Sequence, residues 1–562
     1  DILSSPAFIY QSYAIPQLKL DEEIAELVLP KQAIIFDMRK TCRFGYFTLF
    51  AQENGQELSF VIEYAKDLFS ESFIKRIAEN LLHTIRNVCS NPNQMLHDIS
   101  VVCVEERNKL ISLGQGPKLD YSEDDNLVNK FKRNVKEYPN NIALSFGGKS
   151  LNYEEMDQQT TNLAHALIEK GVQQGNYVGI YLDPSHLFYI AELAILKVGA
   201  VFIPLSKESP NERLEKIIND AKINFFIVDD NTGGLFDTNC AAQLISIMAT
   251  KSVNLNKSLP VIVKSIEDTF CVLYTSGSTG MPKGVVLPEK GILRVVGSPN
   301  FIQVSPGDKV AQTANQAFDA AQLECWLAWN HGASLVLFDK KTILNVNSFR
   351  KKLKDKNITH MWLTAGLFDA YANDKPDLFK SLKYLMVGGD VVHKKAILNV
   401  LNLEKPPIII NGYGPTEASI FALTHTFDKQ TINNYTTTLV GSPINETEVE
   451  ILTLFATKTP LGGIGELCIK GNGVGGYLNS PNLNEEKFSV KSGKRNYLTG
   501  DLVKYTIKKP EIMFIGRGND EQVKINGYLV TPEEVRNCLS QHPAIKQIHV
   551  STINRHGTNQ LV

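Results

Sequence analysis

Over residues 70–90, SESFIKRIAENLLHTIRNVCS, the apolar positions Ile74, Ile77, Leu81, Leu82 and Ile85 recur at i, i+3, i+4 spacing and predict an amphipathic helix. The runs AIIFDM, FGYFTLFAQ and ELSFVIEY before it predict strands, so residues 1–110 read as an α+β piece. Around 113–125 the composition shifts to LGQGPKLDYSEDD, with little that could be buried, and 111–124 reads as a linker. From 125 to 516 helical and strand patterns alternate. NLVNKFKRNVKEY, NYEEMDQQTTNLAHALIEKG, SHLFYIAELAILKVG and NERLEKIINDA predict helices; NIALSF, NYVGIYL, AVFIPL and NFFIVDD predict the strands between them. Such alternation predicts an α/β fold built in several layers on mostly parallel sheet. In 517–562 the pattern changes again, EQVKINGYLV predicting a strand and TPEEVRNCLSQHP a helix, which reads as the start of a small α+β C-terminal lobe.

The 562 residues correspond to about three or four domains, and 43% apolar residues supply several cores, which argues against disorder, collagen or a coiled coil. With 58 Lys and Arg against 60 Asp and Glu, the net charge is −2, so nucleic acid is not expected as a partner. No run reaches the roughly 18–20 apolar residues that span a bilayer, and DILSSPAFIYQSYAIPQLKL lacks the build of a secretory leader. The expectation is a cytoplasmic chain with no membrane partner. Cys42, Cys89, Cys103, Cys240, Cys271, Cys325, Cys468 and Cys538 include no CxxC pair, so neither a zinc site nor a disulfide framework is expected.

The densest chemistry lies at Tyr274-Thr275-Ser276-Gly277-Ser278-Thr279-Gly280-Met281-Pro282-Lys283-Gly284, directly after the apolar TFCVL. Hydroxyls, glycines and a lysine packed this closely make a cradle for phosphate oxygens. The spacing is not GxxxxGK[ST], so it is not the common P-loop. Gly471-Asn472-Gly473-Val474-Gly475-Gly476 formally matches GxGxxG, but YLNSPNLNEEKF follows where a helix should start, so a dinucleotide site is not expected. There is no HExxH and no GxSxG. Three polar clusters, Asn411 to Glu417 after PPIII, Tyr497 to Asp501, and Gly516-Arg517 after IMFI, fall at predicted strand ends, where open α/β sheets bind nucleotides.

In this order and at these separations, TSGSTGMPKG, NGYGPTE, YLTGD and GRGNDEQVKING resemble the adenylate-forming superfamily. LNYEEM, LAILKVGAVFIPL and FDAAQLE are similar to the adenylation domains of nonribosomal peptide synthetases, and residues 1–110, with LSFVIEYAKDLFSESFIKRI, resemble the end of a condensation domain without its histidine motif. The resemblance implies a large adenylate-forming core over 125–516 and an incomplete adenylation C-terminal subdomain over 517–562. It implies that Thr275, Ser276, Gly277, Ser278, Thr279, Gly280 and Lys283 hold the ATP phosphates, with Thr279, Lys283 and Glu417 catalytic. Gly389, Asn411, Tyr413 and Gly414 would lie at adenine, Thr416 and Glu417 at the phosphates and Mg²⁺, Asp501 and Arg517 at the ribose, and Asp520 would be the hinge. Asp319 matches the carboxylate that pairs with a substrate α-ammonium group. Ala320, Leu323, Trp362, Met386, Gly388, Gly412, Ile420 and Phe421 match the side-chain pocket. All eight are apolar or glycine, a pattern similar to pockets that take valine, with isoleucine and leucine as minor substrates.

The implied chemistry is an aminoacyl adenylate made from an amino acid and ATP, then passed to the phosphopantetheine thiol of a carrier protein. The implied partners are that carrier, an upstream condensation domain and a small MbtH-like helper protein. Two departures accompany this. The hinge region Gly518-Asn519-Asp520-Glu521 is one residue longer than usual, with Asn526 where an arginine often stands. The chain also ends at GTNQLV, before the family's C-terminal lysine, so slow adenylation is expected of it; an inserted methyltransferase after Val562 is a second reading. The alternatives are an acyl- or aryl-CoA ligase, disfavoured by Asp319, and a non-catalytic scaffold, disfavoured by Ser278, Thr279, Lys283 and Glu417.

Overall fold

The computed structural model describes residues 7–11, 33–38, 47–54, 57–122, 124–229, 243–248, 265–276, 282–432, 439–491, 493–507, 509–518, 523–525, 528–530, 532, 535, 539, 550–555 and 558–562. The chain divides into two compact units, Asp1–Ser112 with Leu452–Gly463, and Leu113–Ile451 with Ile464–Val562.

In the first unit Phe47–Asn54 and Glu57–Ala65 form an antiparallel hairpin, flanked by Ala7–Gln11 and Ala33–Met38 as parallel outer strands. The helix Glu71–Ser90 begins where the Ser70 hydroxyl accepts the Phe73 N–H at 3.3 Å. Its apolar stripe packs on the sheet: Ile74 and Ala78 meet Ile62 and Tyr64, and Leu81, Leu82 and Ile85 meet Ala51 and Phe60. Burying each large aliphatic there contributes about 1.5–3 kcal/mol.

The second unit holds two sheets. One runs, in spatial order, Gln243–Ser246, Phe225–Val228, Tyr177–Tyr181, Val201–Pro204, Thr269–Thr275, Lys283–Pro288 and Gly476–Tyr477; its first five strands are parallel and the last two antiparallel. The other has fourteen strands. Its parallel centre consists of Ile142–Phe146, Ser334–Leu337, Lys309–Gln312, His360–Thr364, Tyr384–Gly388 and Ile408–Tyr413, and an antiparallel wing continues through Leu423–Thr426 to Lys494–Tyr505 and Gly465–Gly471.

The helix His186–Lys197 touches strands of both sheets and is buried from Phe188 to Lys197, which explains why SHLFYIAELAILKVG is apolar nearly all round. Asp319–Trp329 is buried in the same way from Ala321 onward. Polar groups inside this layer are paired. Glu192 accepts the Trp326 indole N–H at 3.0 Å and the Gln322 amide at 3.2 Å. Lys197 donates to Asp157 Oδ1 and Thr160 Oγ1, each at 2.7 Å, pinning the helix Tyr153–Glu169.

Two expectations change. The stretch expected to be a linker is bonded into the second unit as an extra edge: Gly116 N donates to the Thr447 carbonyl at 2.8 Å, Val449 N to Gly114 at 2.7 Å and Glu446 N to Pro117 at 2.8 Å. Backbone pairing needs no apolar side chain, so composition could not register it. EQVKINGYLV forms two antiparallel strands, Val523–Ile525 and Tyr528–Val530. Asn526-Gly527, the dipeptide most suited to a hairpin turn, stands between them in sequence. The helix expected over TPEEVRNCLSQHP lies mostly outside the described residues. No helix among the described residues is long and apolar enough to cross a membrane.

Burial raises the Glu192 carboxyl to about 7, its three hydrogen-bond donors offsetting only part of the desolvation. A carboxyl raised in the fold destabilises progressively as pH climbs from its unfolded value to its folded one, and the penalty is constant above that. Glu192→Gln is therefore expected to melt higher than the wild type at pH 8, by up to about 3 kcal/mol, with the difference closing toward pH 4.5 in thermal melts.

Candidate active site

Thr275 and Lys283 face each other across the antiparallel pair formed by Thr269–Thr275 and Lys283–Pro288. The loop between them is thus a hairpin connection followed by a strand, not the loop-to-helix step of a P-loop. Gly277, Ser278, Thr279 and Gly280 lie outside the described residues, as does Asp520. Thr275 Oγ1 is buried and finds no hydrogen-bond partner among the described residues.

Lys283 Nζ donates to Glu417 Oε1 at 2.9 Å and to the Tyr477 hydroxyl at 2.9 Å, and that hydroxyl donates to the same carboxylate oxygen at 2.7 Å. The ammonium also sits 4.4 Å from the Tyr477 ring centroid, within cation–π range. Glu417 comes from the single turn Thr416–Ala418 that follows Ile408–Tyr413 in the larger sheet; Tyr477 pairs beside Val285 in the smaller one. Desolvation pushes the Glu417 carboxyl up, but Lys283 and the Tyr477 hydroxyl outweigh it and hold the group below its ordinary value. Burial, with Glu417 beside it, drives the Tyr477 phenol far up, so it stays a donor.

A second group stands on the antiparallel wing. Asp501 and Arg517 are register partners, with Asp501 Oδ1 3.1 Å from Arg517 Nε, and the Tyr413 hydroxyl donates to Asp501 Oδ2 at 2.5 Å. Oδ1 is buried and lies off Arg517's hydrogen-bonding direction, so it retains acceptor capacity. Asn411 is buried and gives its amide N–H to the Leu439 carbonyl at 2.8 Å.

Strand register assembles the apolar group. Trp362 pairs with Met386 and Gly388 with Gly412, so these four share one face of three neighbouring strands. The Phe421 ring lies over Gly412, where a Cβ would come within 2.3 Å of it, and stands 5.4 Å from the Trp362 ring. A Cβ at Gly388 would meet the Gly412 carbonyl at 2.2 Å, so neither glycine admits a side chain. Leu323, Met386, Ile420 and Phe421 are buried, while Asp319 and Ala320 open the helix Asp319–Trp329 half-buried. Glu324 holds the preceding loop by accepting Thr313 N and Oγ1 at 2.9 Å each, and the Thr313 hydroxyl also reaches the Trp362 carbonyl at 2.6 Å.

Sequence reading missed Tyr477, Phe301, whose ring meets Phe421 edge-on at 6.1 Å, and Arg294, which donates to the Ala418 carbonyl. The GxGxxG stretch set aside as a failed dinucleotide motif does not open a helix; it leads into Gly476–Tyr477, and Gly475 N donates to the Glu417 carbonyl at 3.0 Å. Among the described residues no cluster of three or more His, Cys, Asp or Glu could hold a metal by itself.

Residues 131–478 match the family of AMP-binding enzymes, and residues 2–111 match the condensation domain. Malpibaldin synthetase of Mortierella alpina is 32% identical over 520 residues, 92% of this chain and 9% of that protein. Tyrocidine synthase 3 of Brevibacillus parabrevis is 32% identical over 510 residues, 90% of this chain and 8% of that protein. The chain thus spans less than a tenth of the length of these relatives. Among solved structures, an artificially fused adenylation–PCP di-domain, NpsA-ThdA from Klebsiella oxytoca, superposes with a TM-score of 0.71 at 25% identity, covering 78% of this chain and 80% of that one. The Klebsiella oxytoca NpsA N-terminal subdomain in complex with 3-hydroxyanthranilyl-AMSN gives 0.63 at 26% identity over 70% of this chain and all of that one.

Removing Lys283 strands a buried carboxylate. Lys283→Met is expected to lower stability at pH 8 by about 3 kcal/mol. Because the unpaired Glu417 then protonates more readily than in the wild type, the deficit should shrink as pH falls toward 4.5, as read by thermal melts across that range.

Proposed function

Because this chain belongs to the AMP-binding enzymes, as a nonribosomal peptide synthetase adenylation domain behind the end of a condensation domain, we propose that it activates valine with Mg·ATP for loading onto a carrier. The observation that carries this reading is the juxtaposition around one turn: Glu417, paired with Lys283 and Tyr477, is followed within four residues by Phe421, which roofs the apolar face of Gly412.

In the reaction a carboxylate oxygen of the amino acid bonds to the α-phosphorus of ATP as the bond from that phosphorus to its bridge to the β-phosphate breaks, and pyrophosphate leaves with the electron pair. Both reactants are anionic, so position and positive charge supply most of the rate. Lys283 exchanges its carboxylate partner for phosphate oxygens, and the buried, unpartnered Thr275 hydroxyl donates to one of them. A lone carboxylate suits Mg²⁺, which is commonly held through one or two carboxylates and the substrate's own phosphates, and Glu417 would supply it. When bound, the ion screens the phosphate charge. Asp501, whose Oδ1 retains acceptor capacity, takes a ribose hydroxyl with Arg517 beside it. Gly389, Asn411, Tyr413 and Gly414 line the adenine, and Thr416 stands with Glu417. Asp319 pairs with the α-ammonium group. The aminoacyl carbon then bonds to the carrier's phosphopantetheine sulfur, the thiol proton is lost, and AMP departs.

Trp362 and Phe421 close over the two glycines, leaving room for a short branched side chain and no hydrogen-bonding group for a polar one. The carrier, the upstream condensation domain and a helper protein are the partners of this reading, in the cytoplasm.

Exchange of labelled pyrophosphate into ATP, driven in turn by each of the twenty amino acids, tests it. Valine should lead isoleucine and leucine by about 10- to 200-fold per added methylene; preference for an aromatic or polar amino acid, or silence from a folded protein that binds ATP, overturns it. Asp319→Ala should lose about 30-fold or more in kcat/KM for valine, the scale of a stranded charge partner. Phe421→Ala should raise the relative rate with phenylalanine or leucine in the same assay.

A further inference from the structure

Arg294 lies on the helix Glu289–Val296 and is 1% exposed. No carboxylate among the described residues forms an ion pair with it. Its guanidinium donates instead to neutral acceptors: Nη1 to Thr447 Oγ1 at 2.6 Å, and Nη2 to the carbonyls of Ala418 and of Ser419, the latter at 3.3 Å. Burial lowers its pKa to about 9. Two close glycines make the space, since a Cβ at Gly473 would sit 2.2 Å from Arg294 Nε and one at Gly291 would sit 2.4 Å from Ser419 Oγ.

The carbonyls it holds belong to a strained turn. Ser419 and Ile420 have φ of 53° and 72°, left-handed conformations in succession, and the second is a β-branched residue that rarely adopts one. Such a conformation persists only where the surroundings over-determine it. Ser419 Oγ donates to the Gly473 carbonyl at 2.8 Å, Ala422 N to Tyr413 at 2.8 Å, and Arg294 adds the only charged donor among the described residues. Thr447 is held from its other side by Gly116 N at 2.8 Å, so the guanidinium is anchored to fixed backbone.

We propose that Arg294 is a positioning residue whose guanidinium, braced on Thr447, sets the Thr416–Phe421 turn, so that one buried cation fixes both the Glu417 carboxylate and the Phe421 wall of the pocket. The consequence for catalysis rests on the reading of the site given above; the positioning itself does not. A lysine keeps the charge but cannot span the hydroxyl and both carbonyls as the planar fork does.

The test uses Arg294→Lys and, because a buried-arginine variant can fail to fold, Thr447→Val, each in the full chain. Hydrogen exchange at the Ala418, Ser419 and Ala422 amides should quicken by about tenfold or more in Arg294→Lys and by less in Thr447→Val, while the central strand amides of Ile409 and Ile410 keep wild-type rates. The Mg²⁺ concentration for half-maximal ATP binding, measured by calorimetry, should rise by about 10- to 100-fold, the range for residues that orient a metal ligand. KM for valine should rise and the preference for valine over phenylalanine should fall together. Unchanged exchange at the three amides, in whichever variant folds, overturns the proposal, as does faster exchange throughout the molecule with KM unaltered, the mark of general destabilisation. If the wild type activates no amino acid, the functional reading fails while the exchange pattern still decides the role of Arg294.

Discussion

A carboxylate taken out of water must find a partner, and the way Glu417 meets that demand dictates how the two sheets of the large unit join. Its partners, Lys283 and Tyr477, stand on neighbouring strands at the edge of the smaller sheet, while Glu417 follows a strand of the larger one. The pair therefore forms only when the edges are brought to within hydrogen-bonding distance. The same short turn delivers Phe421 over Gly412, so the polar and apolar halves of the proposed site share one backbone segment.

That sharing has a price in conformation. Reversing direction quickly enough to place Glu417 on one side and Phe421 on the other drives Ser419 and Ile420 into left-handed backbone, which is held by donors from three separate segments. Arg294, Gly473 and Gly475 are dispersed in sequence yet converge there, because a strained turn needs support from several directions. Glu324 plays a comparable part across the pocket, where its buried carboxyl, pushed up to about 8 by desolvation, ties the Thr313–Ala314 backbone and through Thr313 the Trp362 strand.

The buried layer between the sheets follows another rule. His186–Lys197 and Asp319–Trp329 are apolar enough to be enclosed on all sides, and the polar groups they carry are paired with one another: Glu192 with Gln322 and Trp326 across the two helices, and Lys197 with Asp157 and Thr160. Each pairing fixes a rotation about a helix axis that apolar packing alone would specify only loosely. Asp319, at the first turn of one of these helices, is thus carried on a rigid element.

Local periodicity was enough to read the helix at Glu71–Ser90 and the alternation from Leu127 to Val228, because a repeat of two or of 3.6 residues reports directly which positions face a core. The order of the motifs was enough for the family, since hydroxyls, glycines and charges at strand ends are legible as strings. Three things were not legible. The Gly114–Leu119 edge is made by backbone groups that every sequence carries; Tyr477, Phe301 and Arg294 reach the site through register and packing between residues more than a hundred positions apart; and the GxGxxG stretch matched a motif whose helix never forms. The amino-acid sequence by itself determined which elements form and which chemical groups stand at their ends, because these depend on neighbours a few residues away. Only the tertiary structure decided which of those groups touch, because pairing across sheets and the strain of the Thr416–Phe421 turn are settled by distant segments arriving at one place.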